Sequence, residues 1–454
     1  MSQVYPEQFM SETPPPRIIG VETEYDVQAS LDTSSWVYTR NAIESTGLKA
    51  IGSYASNGAR IYRDAYGQLE YATPECLGPS IAAAADMAGK LIIAEMVSNS
   101  GMDHRGVYRI TGSSLDGVTP VSSGHHENYL IPSHIIGYRE FQPILESFFA
   151  SRFWLGAGGL NRGGYIFCQK SSGIGAPIML NSGNRMGHGS KPFALVHMSG
   201  GSLSSDINTD PGWARLETRY SDANMSPFAK FMALATTSLV LRVIENRCLL
   251  NQDLLNTIAL AKSVRAFHIF STDTTMSRVV NSEDGQKLSA LDIQIYLQQL
   301  AAELAEKIEL PSDEQVAVKL WGLILDRLMY LDLGNRHYAG LEKFLDFAAK
   351  HNFLLHSVGS ENINSLNSMA FFKDKSWDRI EPIGGGDIWW GYQPMPDKVV
   401  SEKQILHLSS NPPHGTRAQL RSRYILKRQN VSKVQWNLAV VNGKNIVLNP
   451  YDCE

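Results

Sequence analysis

The sequence predicts an α+β protein on three observations. β-Branched and aromatic residues alternate with polar ones early in the chain, apolar residues recur at helical spacing through its middle, and a short helix-and-hairpin unit closes it. From Arg17 to about Tyr71, RIIGVETEYDVQA and ARIYRD read as strands. Pro79 to Val97 (PSIAAAADMAGKLIIAEMV) reads as a helix with proline at its start. Strand-like pieces follow at Gly106–Ile110, Asn128–Ile131 and Pro192–His197, joined by long glycine- and serine-rich connections of the kind that carry function. From Pro227 the pattern turns helical, in PFAKFMALATTSLVLRVIEN, Ala290–Glu306, Asp313–Tyr330 and Leu341–Phe353. Residues from about Ser360 to Ser410 read as irregular, with a GGG turn at Gly384–Gly386. At the end, TRAQLRSRYILKR reads as a basic helix and WNLAVVNGKNIVL as a hairpin turned at Asn442-Gly443. The expected organisation is a disordered tail over 1–16, a body over 17–400 and a small C-terminal domain over 401–454.

Composition removes several function classes. The 43% hydrophobic and 19% charged content lets the chain bury enough apolar surface to offset its entropy, so disorder is not its default. A net charge of -4 gives no global attraction to phosphate backbones or anionic lipid, and neither nucleic acid nor membrane is expected as a partner. Cys76, Cys168, Cys248 and Cys453 stand far apart with no CxxC pair. That argues against a disulfide framework and a structural zinc site and fits a reducing cytoplasm. The most apolar run, Phe228 to Ile244, carries Lys230 and Arg242, and no export signal is read at the N-terminus.

The chemistry starts from strand periodicity. In GVETEYD, Glu22, Glu24 and Asp26 share one face while Val21, Tyr25 and Val27 take the other. Like charges aligned on a strand repel, so that face either meets solvent or holds a cation. NGARIYRD places Arg60, Tyr62 and Asp64 on one face, and LEYATPEC adds Glu70 and Glu75. Magnesium prefers oxygen ligands and bridges carboxylates to nucleotide phosphates, so acids gathered on neighbouring strands suit a nucleotide–metal site. An arginine among them suits phosphate. Ordinary surface salt bridges would leave the same pattern. Three further polar clusters, HHENY at His125–Tyr129, RLETRYSDANMS at Arg215–Ser226 and TRAQLR at Thr416–Arg421, are each weak alone. No GxxxxGK[ST] loop exists, and GAGGLNRGG at Gly156–Gly164 lacks the dinucleotide pattern, so any ATP would lie on a sheet of charged side chains.

These segments resemble the family of the Pup ligase and the depupylase or Pup deamidase, relatives of glutamine synthetase and glutamate–cysteine ligase. The resemblance runs in order through GVETEYD, NGARIYRDAYGQLEYATPEC, SSGHHENYLI, SRFWLGAGG, SDANMSPF, SLVLRVIEN, LDFAAKHNFL and PPHGTRAQLR, with Trp436 near the end. It implies a glutamine synthetase-like fold, a curved antiparallel sheet lined by helices with a small C-terminal domain, and ATP and Mg2+ as cofactors. It implies Glu22, Tyr62 and Glu70 as magnesium ligands, Arg60, Thr73 and Trp436 as ATP contacts, and Asp64 as the catalytic aspartate. Glu24 and His126 would support the metal, and Arg417 the phosphates. The implied activity joins a glutamate carboxylate of a Pup-like modifier to the lysine of a protein substrate, with depupylation or deamidation, or a divergent ligase for a small acid or peptide, as alternatives. The chain departs from the family at Asp26, where glycine is usual, and at Glu217, where histidine is usual; ETRY resembles the Glu-x-Arg of amino-acid ligases. Only Val27–Ser56 separates the first two blocks, too short for the depupylase insertion, whereas Tyr25 and Pro74 resemble the depupylase branch.

Overall fold

Alternation makes the first strand and decides which of its faces is buried. In β1 (Ile18–Ala29), Val21, Thr23 and Tyr25 are fully buried while Glu22 and Glu24 stay partly open. The computed structural model describes residues 14–29, 54–63, 68–100, 104–108, 123–161, 163–172, 174–176, 179–180, 193–194, 196–199, 212–329, 338, 340–359, 363, 368–380, 399–427 and 430–453. Asp64, the Gly384–Gly386 turn and most of the Val27–Ser56 connection lie outside these residues.

After β1 come β2 (Arg60–Arg63), β3 (Leu69–Ala72), β4 (Cys76–Leu77), helix α1 (Pro79–Asn99), β5 (His104–Tyr108) and β6 (His125–Pro132). Helix α2 (Phe141–Ser151), then β7 (Met179–Leu180), β8 (Val196–Ser199) and β9 (Trp213–Thr218) follow. These strands form one sheet in the order β7-β8-β9-β6-β1-β3-β2, with β4 and β5 also paired to β1, antiparallel except between β7 and β8. Its apolar face packs on helices. Helix α3 (Pro227–Glu245) is the length and hydropathy of a membrane span, yet it is buried as the central core helix. Ser226 caps it by accepting from the Ala229 N–H, and Pro227 fills the first turn, where a missing N–H is harmless. Helix α1 crosses beneath β3 at Gly89, where an added Cβ would lie 2.4 Å from the Tyr71 ring. Helices α4 (Ala290–Lys307) and α5 (Ser312–Met329) pack behind α3.

Four corrections follow. Residues 14–16 are not a free tail: Pro14 is buried, and Arg242 Nη2 donates to the Pro15 carbonyl at 2.6 Å. The helical reading of Leu341–Phe353 corresponds to α6 (Asp346–Val358), whereas the stretch read as irregular contains α7 (Ser368–Trp377) and α8 (Glu402–Ser410). Helix α2 and strand β9 were unread in the sequence, the first for want of a boundary signal and the second because RLETR reads as a charged cluster. Helix α8 packs on α1, with Ile405 and Leu408 in the main core.

The terminal unit proper is α9 (Arg417–Lys427) with a sheet of β10 (Val431–Val434), β11 (Leu438–Val441) and β12 (Lys444–Val447). Asn442 and Gly443, with φ of 52° and 75°, make the tight hairpin turn that the dipeptide predicts.

Candidate active site

The sheet register gathers the acids. Glu24 lies opposite Glu70, Tyr62 opposite Glu70 on the far side of β3, and Glu22 opposite His126. Asn128 pairs with Glu217 and Leu130 with Arg215 on β9. Paired residues of antiparallel strands share a face. One face therefore runs, strand by strand, from Arg215 and Glu217, through Asn128 and His126, Glu22 and Glu24, and Glu70, to Tyr62 and Arg60.

Each acid is held by a fixed donor. Glu22 takes His126 Nδ1 at 3.2 Å and lies 3.6 Å from Arg215 Nη1. Glu24 accepts the Gly124 backbone N–H, and a Cβ at Gly124 would meet this carboxylate at 2.5 Å. Glu70 is buried and accepts the Tyr62 hydroxyl at 2.5 Å. Burial, then the charges of Glu22 and Glu70, raise the Tyr62 phenol well above its ordinary value, so it remains a neutral donor to Glu70. Arg60 stacks over the Tyr62 ring at 4.6 Å, and its Nε is shut from solvent with no hydrogen-bond partner among the described residues.

Glu217 is fully buried. Burial alone would raise its pKa, but Arg215, Arg219 and His126 overcome that and hold it at about 2. Arg215 Nη2 reaches it at 2.9 Å and Arg219 Nε at 2.6 Å. Lys170 Nζ, donating to the Ser123 carbonyl at 2.9 Å, stands near enough to Glu24, Asp222 and Arg219 to feel their charge. Beneath the face, Lys230 Nζ lies 2.6 Å from His125 Nε2, His125 Nδ1 lies 2.9 Å from the Thr23 hydroxyl, and that hydroxyl donates to Asp86 at 3.0 Å. An ammonium can only donate, so this chain fixes Nδ1 as the protonated nitrogen of His125 and ties β1, β6, α1 and α3 together.

The other anticipated residues take these places. Thr73 is buried, and its hydroxyl accepts the Val21 N–H at 2.9 Å, locking the end of β3 to β1. Arg417 Nε donates to Glu75 at 2.8 Å and its Nη1 to the Leu448 carbonyl at 3.3 Å. Trp436 packs edge-on against Tyr54 at 5.4 Å, and Tyr54 is bridged to Arg60, so the indole stands at the Arg60 edge of the face. Sequence reasoning assigned no role to Gly124 or Lys170. Arg219 entered through the Glu-x-Arg string of ETRY, and the period-two spacing of Arg215, Glu217 and Arg219 was a second signal for it.

Among the described residues no three His, Cys, Asp or Glu groups converge closely enough to enclose an ion unaided. Magnesium needs no such cage, since it takes one or two carboxylates and completes its shell with phosphate oxygens and water. A face with three aligned acids and an orphaned guanidinium donor fits that shared arrangement.

One apolar face under helices and one charged face define an α+β protein whose candidate site is a sheet surface. The family model described as Pup-ligase protein matches residues 28–440, and the chain belongs to this family. It is 26% identical over 479 residues to a Pup–protein ligase of Bifidobacterium animalis subsp. lactis (strain AD011), covering 96% of this chain and 90% of that protein. It is 25% identical over 449 residues to a Pup deamidase/depupylase of Mycolicibacterium smegmatis, covering 94% and 84%. Among solved structures, the complex between Pup and its ligase PafA superposes with a TM-score of 0.79 at 22% identity, covering 97% of this chain and 90% of that one. PafA in complex with ADP gives 0.72 at 22% identity, covering 94% and 93%. The fold is therefore the one the resemblance implied.

Proposed function

We propose that the chain is an ATP- and magnesium-dependent ligase that joins the glutamate side-chain carboxylate of a Pup-like modifier to a lysine of an acceptor protein. The family assignment supports the modifier. The observation that carries the chemistry is the alignment of Glu22, Glu24 and Glu70 on one sheet face beside Arg60, whose buried Nε has no partner among the described residues. In this reaction ATP phosphorylates the carboxylate, and the amine then displaces phosphate to leave an amide. Magnesium supplies neutralisation of phosphate charge. Glu22, Glu70 and Tyr62 would hold it, with Glu24 and His126 supporting. Arg60 would donate to phosphate oxygens, Thr73 and Trp436 would lie on the nucleotide's side, and Arg417 would brace the phosphates from the terminal unit. Asp64 would take the proton of the attacking lysine, which is charged near neutral pH and inert until deprotonated. In this reading residues 17–400 form the catalytic body and 401–454 the C-terminal domain, α8 packing back on the body. The setting is the cytoplasm, with no nucleic acid or membrane partner.

Ligation is preferred over release because the chain spans 90% of the Bifidobacterium ligase but 84% of the Mycolicibacterium depupylase, in keeping with the short Val27–Ser56 connection. Release is the second reading, favoured by Tyr25 and Pro74 and by the near-equal identity to that depupylase. Incubation with Mg-ATP, a Pup-like peptide ending in glutamate and a lysine-bearing protein decides. Mass spectrometry should find an adduct lighter by one water on a lysine. Release from a preformed conjugate without any conjugation would reverse the order, and inactivity in both assays would favour a small-acid ligase.

A further inference from the structure

The charged face is ordered across the sheet: cations on β9 and just after it, acids on β1 and β3, and a second cation, Arg60, on β2. Strands lie about 4.8 Å apart, so the four steps from β9 to β2 put the two cationic ends roughly 19 Å apart, with the acids between. Arg60 and the Trp436 edge occupy one end. At the other, Arg219 is 19% exposed and is braced through Nε by the fully buried Glu217. Its two terminal nitrogens hydrogen-bond to no described residue. Glu217 is shared with Arg215, which also lies 3.6 Å from Glu22, so Arg219 takes only part of the carboxylate that braces it. Lys170 is a further cation at this end. A guanidinium anchored by Nε, with its fork of donors left over, is pre-organised for a bidentate acceptor.

We propose that Arg219, braced by Glu217, receives the carboxylate of the substrate that is to be activated, on the side of the acid stripe opposite the nucleotide. The inference rests on the ligase reading and on Arg60 marking the nucleotide end. In-line transfer needs the attacking carboxylate oxygen and the departing nucleotide oxygen on opposite sides of the transferred phosphorus, and the face supplies a cation at each end of such a line. Glu217 is then a positioning residue: it holds the fork in place and prevents Arg219 from pairing with Glu22 or Glu24. Lys170 also senses the charge of Arg219, and His126 Nδ1 lies 3.8 Å from Glu217.

The test compares wild type, Arg219→Ala, Arg219→Lys and Glu217→Gln, each checked for folding by thermal melting. The substrates are a Pup-like peptide ending in glutamate and Mg-ATP. Arg219→Ala should raise KM for the peptide roughly ten- to hundredfold, the scale of charge-assisted hydrogen bonds, and leave KM for ATP unchanged. Arg219→Lys should recover only part, because a point charge lacks the fork. Wild type should bind the glutamate peptide more tightly than its glutamine counterpart in calorimetry, and Arg219→Ala should lose that preference. An equal rise in KM for ATP would make Arg219 a phosphate group's partner and overturn the assignment; unchanged constants would reduce it to a structural ion pair. The calorimetric arm needs no turnover. A wild type that binds the glutamate peptide selectively but forms no conjugate refutes the ligase reading while upholding the carboxylate receptor, and one that fails to distinguish the two peptides refutes the receptor itself.

Discussion

Replacing Glu75 by glutamine should detach the C-terminal unit from the sheet. Glu75 follows β3, and its carboxylate accepts Arg417 Nε at 2.8 Å, Arg421 Nη1 at 3.2 Å and Arg421 Nη2. Arg421 is fully buried, with the Gly58 and Trp436 carbonyls as its other acceptors and the Tyr54 and Trp436 rings on its flanks. Burial would raise the Glu75 pKa, but Arg421 and then Arg417 lower it from 4.5 to about 2. The drop of 4.5 − 2, or about 2.5 units, corresponds to ~3 kcal/mol of stability. Breaking a buried pair by removing one partner costs about 3–5 kcal/mol, because the remaining charge is left uncompensated. The two routes agree in size. Since the folded pKa is depressed, this stability is fully present above the unfolded value of about 4.5 and is lost as pH falls through about 2.

The assay is urea unfolding of wild type and Glu75→Gln at several pH values, with hydrogen exchange to locate the change. The two should differ by about 3 kcal/mol at pH 7, with the gap narrowing below pH ~4.5. Faster exchange should concentrate in α9 and β10–β12. A variant that unfolds at the wild-type urea concentration at pH 7 would show that the Arg421 charge is satisfied without Glu75, and the clamp would be abandoned.

Three further outcomes are expected. A Glu22→Ala, Glu70→Ala double variant should lose Mg-ATP affinity by calorimetry, and undiminished affinity would place the nucleotide elsewhere. Asp64→Asn should keep its fold and ATP binding but slow amide formation about 10²-fold, the scale of a lost acid–base group, and wild-type turnover would remove Asp64 from the reaction. Lys350 is buried between Asp374 at 3.0 Å and Asp378 at 2.8 Å, and burial pushes Asp378 up to about 7. A carboxyl raised this way favours the folded state only while protonated, so it costs stability as pH rises from 3.8 to about 7. Asp378→Asn should therefore flatten stability across that interval, whereas Lys350→Met should destabilise by about 3–5 kcal/mol, both read by thermal melts from pH 4 to 8.

The faces of β1 were legible because period two is local: Glu22 and Glu24 against Val21 and Tyr25 need only the strand's own geometry. The hairpin at Asn442-Gly443 was legible for the same reason. What the sequence hides is register. That Glu24 meets Glu70, that Glu22 meets His126, and that Arg215 and Glu217 join the same face from β9 are settled by pairing between distant segments. Burial of charge is hidden in the same way. Nothing in the local sequence marks Arg152, Arg242, Arg421, Lys230 or Lys350 as buried, yet all are. Arg152, Arg242 and Arg421 have their carboxylates at Glu127, Glu314 and Glu75, respectively 25, 72 and 346 residues away.

These distant pairs bear on function as well as stability. A buried ion pair contributes less net stability than an apolar substitute of the same shape, so its effect here is better sought in position than in folding energy. Arg152 on Glu127 fixes β6, the strand that carries His126 to Glu22; Arg421 on Glu75 fixes the unit that carries Trp436 to the Arg60 edge. In each case the pair spans the two elements whose relative placement sets a candidate contact. The site's acids could be named from short strings, but the residues that hold those acids in register could be found only once the chain was folded.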